Sequence, residues 1–272
     1  GMTEAQAQAS GIEFDVAKFP WGALSRAITV DRPDGLTKLI LEKQTGRVLG
    51  GGIAGSGAGE LIAEGVLAIE MGADAVELDV RRTADGVLVV HHDPRLADTR
   101  VIVATPYRDL PAHVPTLAAA LDACAGMWVN VEIKNDAEEP DFDPTDSIAD
   151  DTIAHLVARD DDRRWLISSF RMETVDRCRA LAPTIRTAWL CVAAPPGVAR
   201  TLVTKGHIAL HPWVGMLTRD TVDECHAAGV QVNTWTCDDP DRMAELVQWG
   251  IDGICTNVPD VALRVLSEAE RA

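Results

Sequence analysis

The sequence predicts a closed α/β barrel of TIM type, (β/α)8, carrying a β-rich N-terminal extension, and three observations predict it. From Ala75 onward, short apolar runs of β character alternate with helical segments, the pattern of right-handed βαβ units around a parallel sheet. Seven such runs, at 75–80, 128–134, 165–169, 187–192, 207–212, 230–236 and 251–256, join one from 46–54 to make eight, the number that closes such a barrel. The intervening helices have legible ends: Asp239 stands before Pro240 with Gly250 as the stop, and Thr218 and Gly229 bracket another. The barrel is therefore expected over 46–272 and the extension over 1–45.

Taken in chain order, strand candidate 36–42 runs through Glu42-Lys43-Gln44-Thr45-Gly46 into the strand 46–54, which predicts a β-hairpin. A glycine-rich turn at 55–59 and an amphipathic helix over 60–72 follow. Gly50-Gly51-Gly52-Ile53-Ala54-Gly55 matches G-x-G-x-x-G, a dinucleotide-binding pattern that arises easily where glycine is dense. After strand 75–80, the dipeptide Asp85-Gly86 marks a two-residue turn. Segment 80–92 is thus expected to be a hairpin extending the second barrel strand. The acidic, proline-bearing stretch from Asn135 leads as a solvated loop into a helix around 147–159.

Composition narrows the function classes. The 272 residues hold 25 Lys and Arg against 42 Asp and Glu, a formal net charge of −17. Such an excess repels phosphate backbones, and no basic stripe compensates, so nucleic-acid binding is not expected. No apolar run approaches the 18 or so residues of a membrane helix, and Gly1-Met2-Thr3-Glu4 lacks the regions of a signal peptide. Six scattered cysteines without a C-x-x-C predict reduced, mostly buried thiols and a cytoplasmic protein.

The chemistry concentrates on two strands. In Ala75-Val76-Glu77-Leu78-Asp79-Val80, period two places Glu77 and Asp79 on one face and the aliphatic residues on the other. Strand 128–134 likewise turns Asn130, Glu132 and Lys134 inward. Three carboxylates converging in a barrel cost several kcal/mol unless compensated. A divalent cation, Mg²⁺ or Ca²⁺, suits these oxygen ligands; buried ion pairs of Glu132 with Lys134, or of Glu77 with Arg81 or Arg82, are the other solution. With Asp85-Gly86 as the turn, His92 falls opposite Asp79, where an imidazole can move a proton beside the metal. His91 points the other way.

These segments resemble the signatures of glycerophosphodiester phosphodiesterases. The likeness runs through Glu77-Leu78-Asp79-Val80, Asp85 to Asp93, Val131-Glu132-Ile133-Lys134, Ser168-Ser169-Phe170, His211-Pro212, Trp235-Thr236 and Asp252 to Pro259. It implies a barrel of the phospholipase C-like phosphodiesterase type that hydrolyses glycerophosphodiesters to glycerol 3-phosphate and an alcohol. By position, Glu77, Asp79 and Glu132 match metal ligands, His92 one of two acid–base histidines, and Lys134 a phosphate-facing cation. Trp235 would line the mouth against glycerol, and His211 ends a later strand as a further substrate-side residue.

Two departures accompany the likeness. The family's first strand ends in His-Arg-Gly, yet those positions fall on Gly50-Gly51-Gly52, and no histidine precedes His91. Residues 2–73 resemble instead the C-terminal interface domain of dihydrolipoamide dehydrogenase, through Gly11-Ile12-Glu13-Phe14, Lys18-Phe19-Pro20-Trp21, Gly35 to Ile40 and Thr45 to Gly50. The two likenesses meet at Ala68 to Asp74. The resemblance implies impaired hydrolysis or, alternatively, an inactive barrel that binds a ligand or self-associates as a homo-oligomer.

Overall fold

A computed structural model describes residues 4–20, 35–43, 48–55, 73–124, 127–269 and 271. The helix expected over 60–72 and Trp21 lie outside them. The chain divides into two compact units, 1–73 with 111–113, and 74–110 with 114–272.

The first unit holds helix α1 (Glu4–Ala9) and strands β1 (Phe14–Pro20), β2 (Gly35–Glu42) and β3 (Val48–Gly55). The three strands form one antiparallel sheet in the order β1-β2-β3. The predicted β2–β3 hairpin is present, with Gly35 opposite Gly55 and Ile40 opposite Gly50. This corrects the sequence expectation in one respect: β3 belongs to the small sheet rather than opening the barrel, and the boundary expected at 45/46 runs through the hairpin. Local closure to the preceding strand needs only a short loop, and Gly50-Gly51-Gly52 offers no aliphatic face for a barrel wall. The same residues lie inside a strand, not in the strand-to-helix turn that a dinucleotide requires.

The second unit is TIM-barrel-like. Strands β4 (Ala75–Arg82), β5 (Leu88–Val90), β6 (Trp128–Ile133), β7 (Trp165–Ser169), β8 (Arg186–Cys191), β9 (Ala209–Pro212), β10 (Gln231–Thr234) and β11 (Gly253–Ile254) form one curled sheet, ordered β11-β10-β9-β8-β7-β6-β4-β5. All neighbours pair parallel except β4 with β5. Among the described residues, no strand joins β11 to β4, so the sheet is an open half-barrel rather than a closed ring.

Helices α2 (Leu117–Ala123), α3 (Ser147–Val157), α4 (Met172–Leu181), α5 (Val198–Lys205), α6 (Arg219–Ala227), α7 (Pro240–Gln248) and α8 (Pro259–Ala269) alternate with the strands. Their starts follow from capping. Asp239 accepts from the amides of Asp241 and Arg242, Thr218 from Thr221 and Thr116 from Ala119, each satisfying an orphan first-turn amide. The core between sheet and helices gathers Leu202, Leu210, Val222, Val232, Met243 and Leu246, all fully buried.

The β4–β5 hairpin exists where expected, but its register is shifted by one. Val80 faces Val90 and Arg82 faces Leu88, and the His91 amide donates to the Asp79 carbonyl at 2.9 Å. His91, not His92, therefore stands opposite Asp79. The turn is a three-residue loop, 84–86: the Thr83 amide donates to the Val87 carbonyl and Gly86 adopts a φ of 81°. Such a loop with a left-handed third residue competes directly with the two-residue turn that Asp-Gly also signals.

Candidate active site

Alternation along β4 builds the first half of the site. Val76, Leu78 and Val80 are buried on the helix side, and Glu77 and Asp79 are half-buried on the other. Parallel pairing sets Glu77 beside Asn130, Asp79 beside Glu132, and Glu132 beside Ser168. The carboxylate oxygens of Glu77, Asp79 and Glu132 converge within 4.8 Å of one another. Lys134, just beyond β6, places its Nζ 2.9 Å from Asp79 Oδ1 and 2.6 Å from Glu132 Oε1. The buried ion pair of Glu132 with Lys134 expected as one solution is thus present. Lys134 makes the buried ion pairs, and two carboxylates share its one charge with Glu77 alongside.

Burial pushes the Glu132 carboxyl above its ordinary range; Lys134 opposes that shift and Asp79 adds to it. Burial pulls the Lys134 ammonium down, but Glu132 and Asp79 together outweigh it, so Lys134 stays protonated. The donor set fits a hard divalent cation, since all three groups offer oxygen. Asn130 Oδ1 and Ser168 Oγ, buried on the same face without a protein partner, add hydrogen-bonding capacity for the hydration shell of a small ion.

The register shift takes His92 out of the predicted pairing with Asp79. Its side chain is 74% exposed, with Nδ1 2.8 Å from Asp93 Oδ1. His91 is tied through Nδ1 to the Asp93 carbonyl.

The remaining expected residues line the other strands. His211, at the end of β9, is buried, and desolvation holds its imidazole down at about 4, so it is neutral near pH 7. Its Nε2 lies 2.9 Å from Asn233 Nδ2. Trp235 donates Nε1–H to the His211 carbonyl at 2.9 Å and meets Phe170 edge-on at 5.5 Å, so the indole offers its ring rather than its N–H.

Three features depart from the sequence reading. Arg81, offered there as a partner of Glu77, forms ion pairs with Glu139 and Asp141. The acidic stretch after β6 is not simply solvated: Asp141 is 5% exposed and pairs with Arg81, and Asp143 pairs with Arg82. Cys255, following β11, is exposed where the other five cysteines are buried, and desolvation first, then the charges of Glu77 and Asp79, push its thiol up to about 12. It is consequently a neutral thiol beside the acidic group. All six cysteines are free.

Residues 66–261 match the profile of the glycerophosphoryl diester phosphodiesterase family. The chain belongs to that family. Two phosphodiesterase crystal structures share the architecture. One, from Oleispira antarctica and in complex with the product sn-glycerol-3-phosphate, superposes with a TM-score of 0.64 at 25% identity, over 74% of this chain and 88% of that one. The other, from Parabacteroides distasonis, gives a TM-score of 0.66 at 25% identity over 75% and 89%. The phosphodiesterase match begins downstream of Gly50-Gly51-Gly52.

Residues 1–85 match the dimerisation domain of pyridine nucleotide-disulphide oxidoreductases. Dihydrolipoyl dehydrogenase of Vibrio cholerae is 42% identical over 119 residues, 44% of this chain and 23% of that protein, and the Vibrio parahaemolyticus enzyme is 44% identical over the same span. The chain thus covers less than a quarter of these relatives. The two profiles overlap at 66–85, where the sequence likenesses meet.

Proposed function

We propose that this chain hydrolyses glycerophosphodiesters to glycerol 3-phosphate and an alcohol with a divalent cation, Mg²⁺ or Ca²⁺, and that it does so slowly. The convergence of Glu77, Asp79 and Glu132 within 4.8 Å in a barrel of this family carries the reading. Glu77, Asp79 and Glu132 would hold the cation, which supplies charge neutralisation and polarisation of a phosphoryl oxygen. Lys134, protonated beside Asp79 and Glu132, faces the phosphate, and His92 with its ring oriented by Asp93 transfers one proton. Trp235 packs its ring against the glycerol carbons, and His211, neutral at working pH, contributes to the substrate wall rather than to proton transfer. No histidine precedes His91 to supply the family's first-strand acid–base group, and loss of one such group alone lowers rate by about 10²–10⁴. The substrate is a small molecule, with no nucleic-acid partner. No helix among the described residues is long and apolar enough to cross a membrane, and we assign the protein to the cytoplasm on its free thiols.

The test is cation-dependent release of glycerol 3-phosphate from glycerophosphocholine by the full chain and by His92→Ala. Slow release that His92→Ala abolishes is expected. Activity indifferent to His92 and to added Mg²⁺, Ca²⁺ or Mn²⁺ would remove the assignment.

A second reading has its own support. The match of residues 1–85 to a dimerisation domain favours a self-associating, catalytically inactive barrel. Light scattering of the full chain decides: a monomer at all concentrations rules this reading out.

A further inference from the structure

Arg81 is one of the largest fully buried side chains, at 1% exposure. Its five N–H groups are all engaged. Nε and Nη2 donate to the His92 carbonyl at 2.9 and 2.5 Å. The second Nη2 hydrogen reaches Glu139 Oε1 at 3.1 Å, and Nη1 donates to Glu139 Oε2 at 2.8 Å and Asp141 Oδ2 at 2.7 Å. A guanidinium has five donors in a fixed fork and nothing further to offer. Arg81 therefore has no hydrogen left for a phosphate, although it continues the face that carries Glu77 and Asp79.

Its partners show what it does instead. The His92 side chain is 74% exposed, and its ring contacts the neighbouring Asp93. An exposed ring on a loop is placed by its backbone, and the His92 carbonyl is held by two in-plane donors. Glu139 and Asp141, from the loop after β6, neutralise the guanidinium and keep it charged although burial opposes this. Strand β4, which carries two of the three carboxylates, thus also fixes the chain at His92, with the β6 loop as the opposing jaw.

We propose that Arg81 is a positioning residue that fixes the chain at His92 by gripping the His92 carbonyl, with Glu139 and Asp141 locking the grip. This rests on the reading in which His92 transfers a proton.

Arg81→Lys is the informative variant. A lysine keeps the cation that Glu139 and Asp141 require, but as a point charge it cannot reproduce the planar grip. For a misplaced acid–base group we expect kcat to fall on the order of 10–100-fold, with KM changed less than about threefold, because binding to the cation and Lys134 is untouched. The ring signals of isotope-labelled His92, sharp in the unaltered chain, should broaden or double in the variant, and guanidinium ion added to Arg81→Ala should restore part of kcat. Unchanged His92 signals and unchanged kcat in folded Arg81→Lys would overturn the proposal. Should Arg81→Lys not fold, Glu139→Gln keeps Asp141 on the guanidinium and removes half of the lock. Partly broadened His92 signals are then expected, and signals as sharp as in the unaltered chain with unchanged kcat would overturn the proposal. Absence of turnover in the unaltered chain with an Arg81-dependent His92 ring would reject the phosphodiesterase reading alone.

Discussion

Lys134 shows how much of this site depends on a single charge. Its ammonium bridges Asp79 and Glu132, and all three side chains are at most 16% exposed. Removing one member of a buried, charge-compensated group exposes the others to mutual repulsion, at about 3–5 kcal/mol. Lys134→Met is therefore expected to lower the unfolding free energy read from urea titration by that amount without divalent cations and to regain part of it in Mg²⁺, since a cation bound only by the folded state stabilises by linkage. A variant as stable as the unaltered chain, and indifferent to Mg²⁺, would show that Lys134 does not compensate these acids. His211 gives a second expectation. Its folded imidazole titrates at about 4, below the roughly 6.5 of an exposed histidine. Between these values the unfolded chain binds the proton that the folded chain refuses, so its contribution to stability is complete above about pH 6.5 and is lost as pH falls toward 4. His207, also pulled down by burial, acts in the same sense. Denaturant titrations of His211→Gln should show a flatter fall in stability over this window, and an unchanged slope would refute the assignment.

At the scale of elements, alternation made the acidic pair on β4 and the inward face of β6 legible, because period two fixes which side chains share a face whatever the strand pairs with. Cap residues were legible for the same reason: Asp239 and Thr218 act within one turn of themselves. Register was not. Asp85-Gly86 supports both a two-residue and a three-residue loop, and contacts far along the chain help select between them. Asp85 Oδ1 accepts from the Thr83 hydroxyl and from the amide of Tyr107, at 2.6 and 2.9 Å. Sheet membership was equally opaque for β3, whose glycines carry no side-chain pattern. Arg81 was visible as a residue on the right face, but not its partners, since Glu139 and Asp141 lie about sixty positions away. The observed loop makes its own prediction. Gly86 has a φ of 81°, and an added Cβ meets nothing within 4 Å, so Gly86→Ala isolates the left-handed backbone strain, about 1–2 kcal/mol. A variant that melts with the unaltered chain would show that residue 86 carries no left-handed strain and would remove this account of the loop.

Across the whole molecule, a net charge of −17 means that any cation will raise stability to some degree, by screening self-repulsion. A divalent cation bound at Glu77, Asp79 and Glu132 must be distinguished from that background. Screening depends on ionic strength and is spread over the surface, whereas site binding depends on three residues from two neighbouring strands. At matched ionic strength, MgCl2 or CaCl2 should therefore raise the melting temperature of the full chain beyond the effect of NaCl, with a midpoint that follows the cation concentration. Glu77→Gln with Asp79→Asn should remove the increment and leave the NaCl response intact. Both variants lower the negative charge, so a pure screening effect would shrink for both salts together. Melting curves in which NaCl and MgCl2 are equivalent at equal ionic strength, before and after substitution, would leave the three carboxylates as ion-pair partners of Lys134 and take the cation out of the proposed chemistry.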